Sequence, residues 1–178
     1  GKSLRDLQSA SRRDAATGTA ITQGEPLSIT SGLVELQLKQ GTKLLIEGPA
    51  TWSIDGNNNA TLKRGKLVAS VSPRAVGFTV VTPSSRVVDL GTEFAIEVTD
   101  RGNTDVHVLR GKVDLYCTDS GTLSTRSVPA TTLSAGEAAR AVASTPSGIA
   151  IDFQPAKFTR SLEPSIARPK SRPTRLLD

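Results

Sequence analysis

VVDLGTEFAIEVTDRGNTDVHVLRGKVDL, residues 87–115, decides the fold class of this 178-residue chain. Phe94, Ile96 and Val98 recur at every second position, Asp100-Arg101-Gly102-Asn103 supplies a polar turn, and Val106 and Val108 resume the alternation. A strand presents every second side chain to one face, so the stretch predicts a half-buried hairpin. Gly91 and Gly111 punctuate its two arms and predict bulges or sharp bends. The pattern is unlike that of a catalytic motif and points away from an enzyme.

The same alternation continues outward. Val34, Leu36 and Leu38 precede a turn at Gly41-Thr42, and Leu44 and Ile46 run to Gly48-Pro49, which reads as a strand terminator. Trp52 and Ile54 lead into Asp55-Gly56-Asn57-Asn58-Asn59, a run of turn-forming residues. Leu67, Ala69 and Val71 alternate again as far as Ser72-Pro73, and Phe78 and Val80 precede Thr82-Pro83, a second terminator. Helical spacing is hard to find between residues 16 and 155, so the expected class is all-β. LKRGKLVASV (62–71) resembles VLRGKVDLYC (108–117), and a glycine followed by an aromatic strand lies upstream of each: Gly48 before Trp52, Gly91 before Phe94. Partial copies lie at 24–36 and 133–140. Such a repeat predicts a short β-solenoid or β-roll whose units cover one another's apolar faces, with a β-sandwich as the alternative.

Apolar residues make up 37% of the chain and aromatics 3%, so the core must come from branched aliphatics, which suit pleated sheet. The net charge of +5 is concentrated outside the β region. Residues 157–178 carry a net +4, residues 1–14 a net +2, and residues 15–156 a net −1. A nucleic-acid-binding domain carries its basic face on the fold itself, so nucleic acid is not an expected partner. No run of about 18 apolar residues is present. The lack of methionine points to a segment of a longer protein. Composition divides the chain into an N-terminal linker (1–15), a β domain (16–155) and a Pro/Arg-rich linker (156–178) holding Pro164, Pro169 and Pro173. Both ends read as flexible tails.

Few residues offer chemistry. Cys117 and His107 are each the single member of their type, so no intrachain disulfide or His/Cys metal site follows, and no cofactor is expected. Asp89 and Glu93 form a carboxylate pair, but no His, Lys or Ser constellation accompanies them. Asp89, Gly91, Thr92, Glu93 and Phe94 therefore read as a structural bend, with Asp89 or Thr92 bonding backbone amides and Glu93 facing solvent. The two Arg-Gly-Lys triplets could set Arg64, Lys66, Arg110 and Lys112 on one face as a partner surface, or be repeated turns with solvated charges. Asp55 with Asn57, Asn58 and Asn59 lacks the ligand order and the distal glutamate of a calcium loop. An exposed sheet edge would let a partner add a strand, expected near the hairpin at 94–108.

These motifs carry a family likeness. TPSSRVVDLGTEFAIEV (82–98) followed by VHVLRGKVDL (106–115) resembles the FecR protein domain, the periplasmic half of FecR-type iron-transport regulators. QGTKLLIEGPATWSI (40–54), LKRGKLVASV, GFTVVTP (77–83) and LSAGEAAR (133–140) fit the same pattern in order, so the likeness spans roughly residues 20–142. The Gly-Pro-Ala-Thr-Trp variant and the proline-rich tail look most like surface proteins in which such a domain precedes a lectin-like domain. The resemblance implies a non-enzymatic extracytoplasmic signalling or interaction domain of a transmembrane anti-sigma regulator, in the periplasm or at the cell surface. Its implied partner is an envelope protein such as the signalling domain of an outer-membrane transporter. A sigma factor would be held only through a cytoplasmic segment this chain lacks, and the anchoring membrane helix would lie outside it. A carbohydrate- or cell-wall-binding module, or a structural spacer, is the alternative.

Overall fold

Strand follows strand because β-branched and leucine side chains recur at alternate positions, where a pleat sends them all to one side. The computed structural model describes residues 21–118 and 128–162. The expected linker at 1–15 and residues 163–178 of the Pro/Arg-rich segment lie outside the described residues. Twelve strands occur among those described: β1 (Leu27–Ile29), β2 (Leu33–Gln37), β3 (Lys43–Gly56), β4 (Asn59–Ser70), β5 (Thr79–Val81), β6 (Ser85–Asp89), β7 (Glu93–Val98), β8 (Thr104–Arg110), β9 (Lys112–Cys117), β10 (Thr131–Ser134), β11 (Ala138–Ala141) and β12 (Ile149–Ala150). Helical structure among these residues is confined to two 3-10 turns, Pro73–Ala75 and Pro155–Lys157. The fold is all-β.

The strands form a curled mixed sheet, a half-barrel, in the order β10-β9-β6-β5-β4-β7-β8-β11-β12, with β1 and β2 both paired to β3 and β3 paired to β4. Its curl comes from long strands that change neighbours partway. The first half of β4 (Asn59 to Thr61) runs beside β5, and the second half (Gly65 to Ser70) beside β7. The stretch β6–β7 pairs with β5 and β9 before its bend and with β4 and β8 after it. The stretch β8–β9 pairs with β7 and β11 before Gly111 and with β6 and β10 after it. One wall therefore holds β5, β6, β9 and β10, the other β7, β8, β11 and β12, and β4 is shared. The core lies between them, with Phe78, Phe94, Leu62, Leu67, Ile96 and Leu115 fully buried. Burying a side chain of this size stabilises by about 1.5–3 kcal/mol relative to exposure.

The sequence repeat takes a different physical form from the stacked coils it suggests. Pairing is antiparallel throughout the described sheet except between β4 and β5. A curled sheet stands where a solenoid was expected. What the two Arg-Gly-Lys triplets share is a left-handed glycine at a strand's change of neighbour: Gly65 at φ 101° and Gly111 at φ 79°. Gly48-Pro49 does not end its strand either. β3 continues through it, with the register to β4 broken between Glu47 and Thr51, so the proline sits in a bulge where no ladder amide is needed. The hairpin at 94–108 is not an edge, because β7 lies between β4 and β8, and β8 between β7 and β11.

Two close approaches require their glycines. A β-carbon on Gly65 would sit 2.5 Å from Ala50 Cβ, in the bulge of β3. One on Gly111 would sit 2.4 Å from the carbonyl oxygen of Gly91. Gly136 is also left-handed (φ 87°) but has open space around the same position. Gly111→Ala is expected to destabilise by roughly 3 kcal/mol, backbone strain plus collision, and Gly136→Ala by only about 1 kcal/mol. Urea titration of both variants checks this, and equal losses would mean that the collision contributes nothing.

Candidate functional site

The conspicuous Asp-Leu-Gly-Thr-Glu-Phe motif is a corner of the half-barrel. Asp89 ends β6 fully buried, and its carboxylate accepts from the Gly91 amide (2.9 Å) and from the Thr92 hydroxyl. Burial pushes the Asp89 carboxyl above its usual range, against amide hydrogen bonds from Gly91, Thr92 and Gly77 that favour the charged form. Four backbone bonds fasten the bend to its surroundings: Asp89 N–H to the Phe78 carbonyl (2.9 Å), Leu90 N–H to the Lys112 carbonyl (3.1 Å), Gly77 N–H to the Asp89 carbonyl (3.0 Å) and Val71 N–H to the Thr92 carbonyl (2.9 Å). Phe94 starts the next run as core. Glu93 does not face solvent as expected: its carboxylate is held at both oxygens by Arg160 at 2.9 Å.

The four triplet cations are not brought together. Gly65 pairs with Val98 at one end of β7, whereas Arg110 pairs with Glu93 at the other, five residues or about 17 Å of strand away. Arg64 is engaged by Asp100 (2.7 Å), and Lys66 by Glu47 (3.5 Å) and the Lys157 carbonyl (3.3 Å). Arg110 and Lys112 remain together at the corner, exposed and without an ion pair among the described residues. Asp55 is spent on Ser53 (2.7 Å) and Thr61 (2.6 Å). No group of three His, Cys, Asp or Glu side chains suited to a metal ion occurs among the described residues.

A second arrangement gave no signal in the sequence. After β12 the chain crosses the outer face of the second wall as a strap, residues 151–162. Phe158 is buried against Leu45, Val68 and Ala95. Lys157 pairs with Glu97, Thr159 donates to Glu47 (3.1 Å), and Arg160 clamps Glu93. The boundary drawn at 155/156 from composition therefore falls inside a packed segment: one phenylalanine and three matched polar contacts outweigh a proline- and arginine-rich neighbourhood. Asp105, His107 and Arg140 meet the strap in an open cleft of about 510 Å³, also lined by Asp152, Gln154 and Lys157. Arg140 grips Asp105 through two bonds of 2.6 and 2.7 Å, which raises the guanidinium above its ordinary value. The cleft's strongest polar groups thus satisfy each other.

His107, only 2% exposed, lies beneath the strap with its ring 5.1 Å from that of Phe158, and its Nδ1 accepts the Gln154 amide (3.3 Å). Burial lowers its pKa from the ordinary 6.5; Asp105 and Glu97 oppose that shift and Lys157 adds to it. The folded state thus favours the neutral ring. Its stabilisation is complete above pH 6.5 and is lost as pH falls through the lower folded-state value. Protection factors of the amides in residues 151–160, corrected for the roughly tenfold-per-unit slowing of intrinsic exchange on acidification, are expected to fall from about pH 7.5 to about pH 5, and His107→Gln to flatten that dependence. A wild-type strap equally protected at both values would contradict the assignment. At the bend, Asp89→Ala should cost about 2 kcal/mol by stranding the Gly91 amide and the buried Thr92 hydroxyl, and Asp89→Asn clearly less; thermal melts compare the two.

The family model of the FecR protein matches residues 19–114, more than half of the chain. Two crystal structures of a proposed anti-sigma factor from Parabacteroides distasonis ATCC 8503 resemble it, one at 15% identity with a TM-score of 0.56, the other at 16% with 0.54. Each match covers 72% of this chain and 60% of that one, so the chain spans less than two thirds of the length of that protein. At such identities the likeness is one of fold. No curated protein matches. The matched residues contain the Asp89–Phe94 corner, both left-handed triplet glycines and strands β1 to β8, and by that match the chain belongs to the FecR protein family.

Proposed function

We propose that this chain is the extracytoplasmic signalling or interaction domain of a FecR-type regulator, binding a protein partner and catalysing nothing. One observation carries the reading. In the Asp-Leu-Gly-Thr-Glu-Phe motif, which lies within the family match, the buried carboxylate of Asp89 is committed to the Gly91 amide and the Thr92 hydroxyl, and Glu93 is committed to Arg160. The motif thus builds a rigid corner, not an acid–base pair. Family membership and the fold shared with a proposed anti-sigma factor support the regulatory role.

On this reading the domain lies in the periplasm or at the cell surface, and a membrane helix elsewhere in the parent protein anchors it. No helix of the described residues is long and apolar enough to cross a membrane. The partner is an envelope protein, with the signalling domain of an outer-membrane transporter as the leading candidate, and a sigma factor would be held by a separate cytoplasmic segment. The carbohydrate reading loses its aromatic platform, because Trp52 is only 3% exposed and belongs to the core. A lectin-like neighbour, and with it a spacer role, is left to the wider parent sequence.

Isothermal titration of the chain against a panel of purified transporter signalling domains tests the proposal. Saturable binding with a dissociation constant on the order of 10 µM or tighter to at least one is expected. Silence across the panel, alongside saturable binding on a glycan array, would overturn it in favour of the carbohydrate module.

A further inference from the structure

The corner inverts the usual partition of side chains: it buries a carboxylate and leaves a leucine outside. Asp89 is 0% exposed and Leu90 46%, and Val76 at 52% stands beside the same bend. A β-carbon on Gly91 would lie 4.0 Å from Val76 Cγ2, and the Leu90 amide is bonded to the Lys112 carbonyl. Residues 74–77, 89–92 and 110–112 therefore meet at one end of the half-barrel. Around the apolar pair stand Arg74, Arg110 and Lys112, all exposed and without ion pairs among the described residues. Glu137, in the adjoining turn, is occupied by the Ser134 amide (2.6 Å). An isolated exposed leucine needs no explanation, but two aliphatic side chains within a rim of uncompensated cations form a specific chemical pattern.

We infer that this corner is a docking surface for an acidic, extended protein segment that carries an aliphatic anchor. The inference rests on the reading of the chain as a partner-binding domain and names the surface and the partner's chemistry. Charge complementarity selects the occupant: arginine takes carboxylates bidentately, and the apolar centre supplies the desolvated contact that a polyanion alone would leave unused. An anionic bilayer fits less well, since two aliphatic side chains bury little area in an interface and three cations give only weak attraction. The backbone that presents these groups is already fixed by its four hydrogen bonds, so docking orders little more than side chains.

The test is 15N–1H NMR titration of the chain with the peptide acetyl-Glu-Asp-Leu-Glu-Val-Asp-Glu-amide. A version with lysine at every acidic position and vesicles of phosphatidylglycerol and phosphatidylcholine serve as comparison arms. Shifts confined to residues 74–77, 89–92 and 110–112 are expected with the acidic peptide alone. Affinity should fall by roughly tenfold in Leu90→Ser and in the Arg110→Gln/Lys112→Gln double variant. These side chains are exposed, and unchanged thermal midpoints would confirm intact folding. No perturbation at the corner, equal response to the lysine peptide, or stronger response to vesicles overturns the inference. The same variants in the signalling-domain titration separate it from the broader proposal. A domain that binds wild type and variants alike would refute this surface and leave partner binding standing. A silent panel with a responsive corner would refute the transporter signalling domain as the partner and leave this surface standing.

Discussion

The half-barrel depends on one steric fact: the carbonyl oxygen of Gly91 occupies the space where residue 111 would carry a β-carbon. Two long strand pairs turn from one wall to the other at this crossing. Their backbones can nest there only because Gly111 presents no side chain and accepts a left-handed φ. The Leu90–Lys112 hydrogen bond closes the same contact. With the crossing in place, Val87 and Phe94 before and after one bend, and Val108 and Val113 around the other, all reach the shared core. The nest of Gly65 on the Pro49-Ala50 bulge repeats this solution one strand over. The sequence repeat is thus a repeat of corners.

How far the chain could be read in advance follows from the range of each cause. Alternation acts over a few residues, so the class and most strands were legible, including the turn after Asp55 and the bend at Gly91. The Arg-Gly-Lys repeat is also legible, but the neighbours of each copy, β3, β5 and β7 for the first and β6, β7, β10 and β11 for the second, are set by contacts between distant strands, and a periodic pattern alone suggests stacked coils equally well. Pro49 lies in a bulge and not at a strand end, for a related reason. A terminator and a bulge remove the same amide, and only the partner strand distinguishes them. Of the candidate cations, Arg110 and Lys112 lie where a surface could form, whereas the partners of Arg64 and Lys66 come from Asp100 and Glu47 and could not be named locally. The partner of Glu93 is 67 residues away, beyond the reach of any local pattern.

The two walls carry different kinds of polar structure. Beside the first, a buried hydroxyl network links Thr82 to Ser85 (2.9 Å), Thr104 to Thr82 (2.7 Å) and Ser84 to Thr104 (2.8 Å). Ser84 also reaches the Ala141 carbonyl (3.1 Å), so neutral groups tie the turn after β5 to β8 and β11. On the outer face of the second wall the polar contacts involve charged groups: those the strap makes, and the grip of Arg140 on Asp105. Neutral hydroxyls can be buried with modest penalty once paired, whereas charges are best kept where water reaches one side. The distribution matches that rule: the network is buried and the strap's cations are exposed.

The strap also gives the domain a mechanical polarity. Residues 157–160 are attached across the sheet face by side chains, whereas each corner-crossing strand is sewn to two neighbours by backbone ladders. A pull from the C-terminal side meets Arg160 first, then Thr159, Phe158 and Lys157, and the attachments give way one at a time, as in peeling tape. The strands beneath would have to shear many hydrogen bonds at once. Tension arriving from that direction is therefore relieved by lengthening at the strap, about 3.5 Å for every residue released, before the ladders of the curled sheet give way.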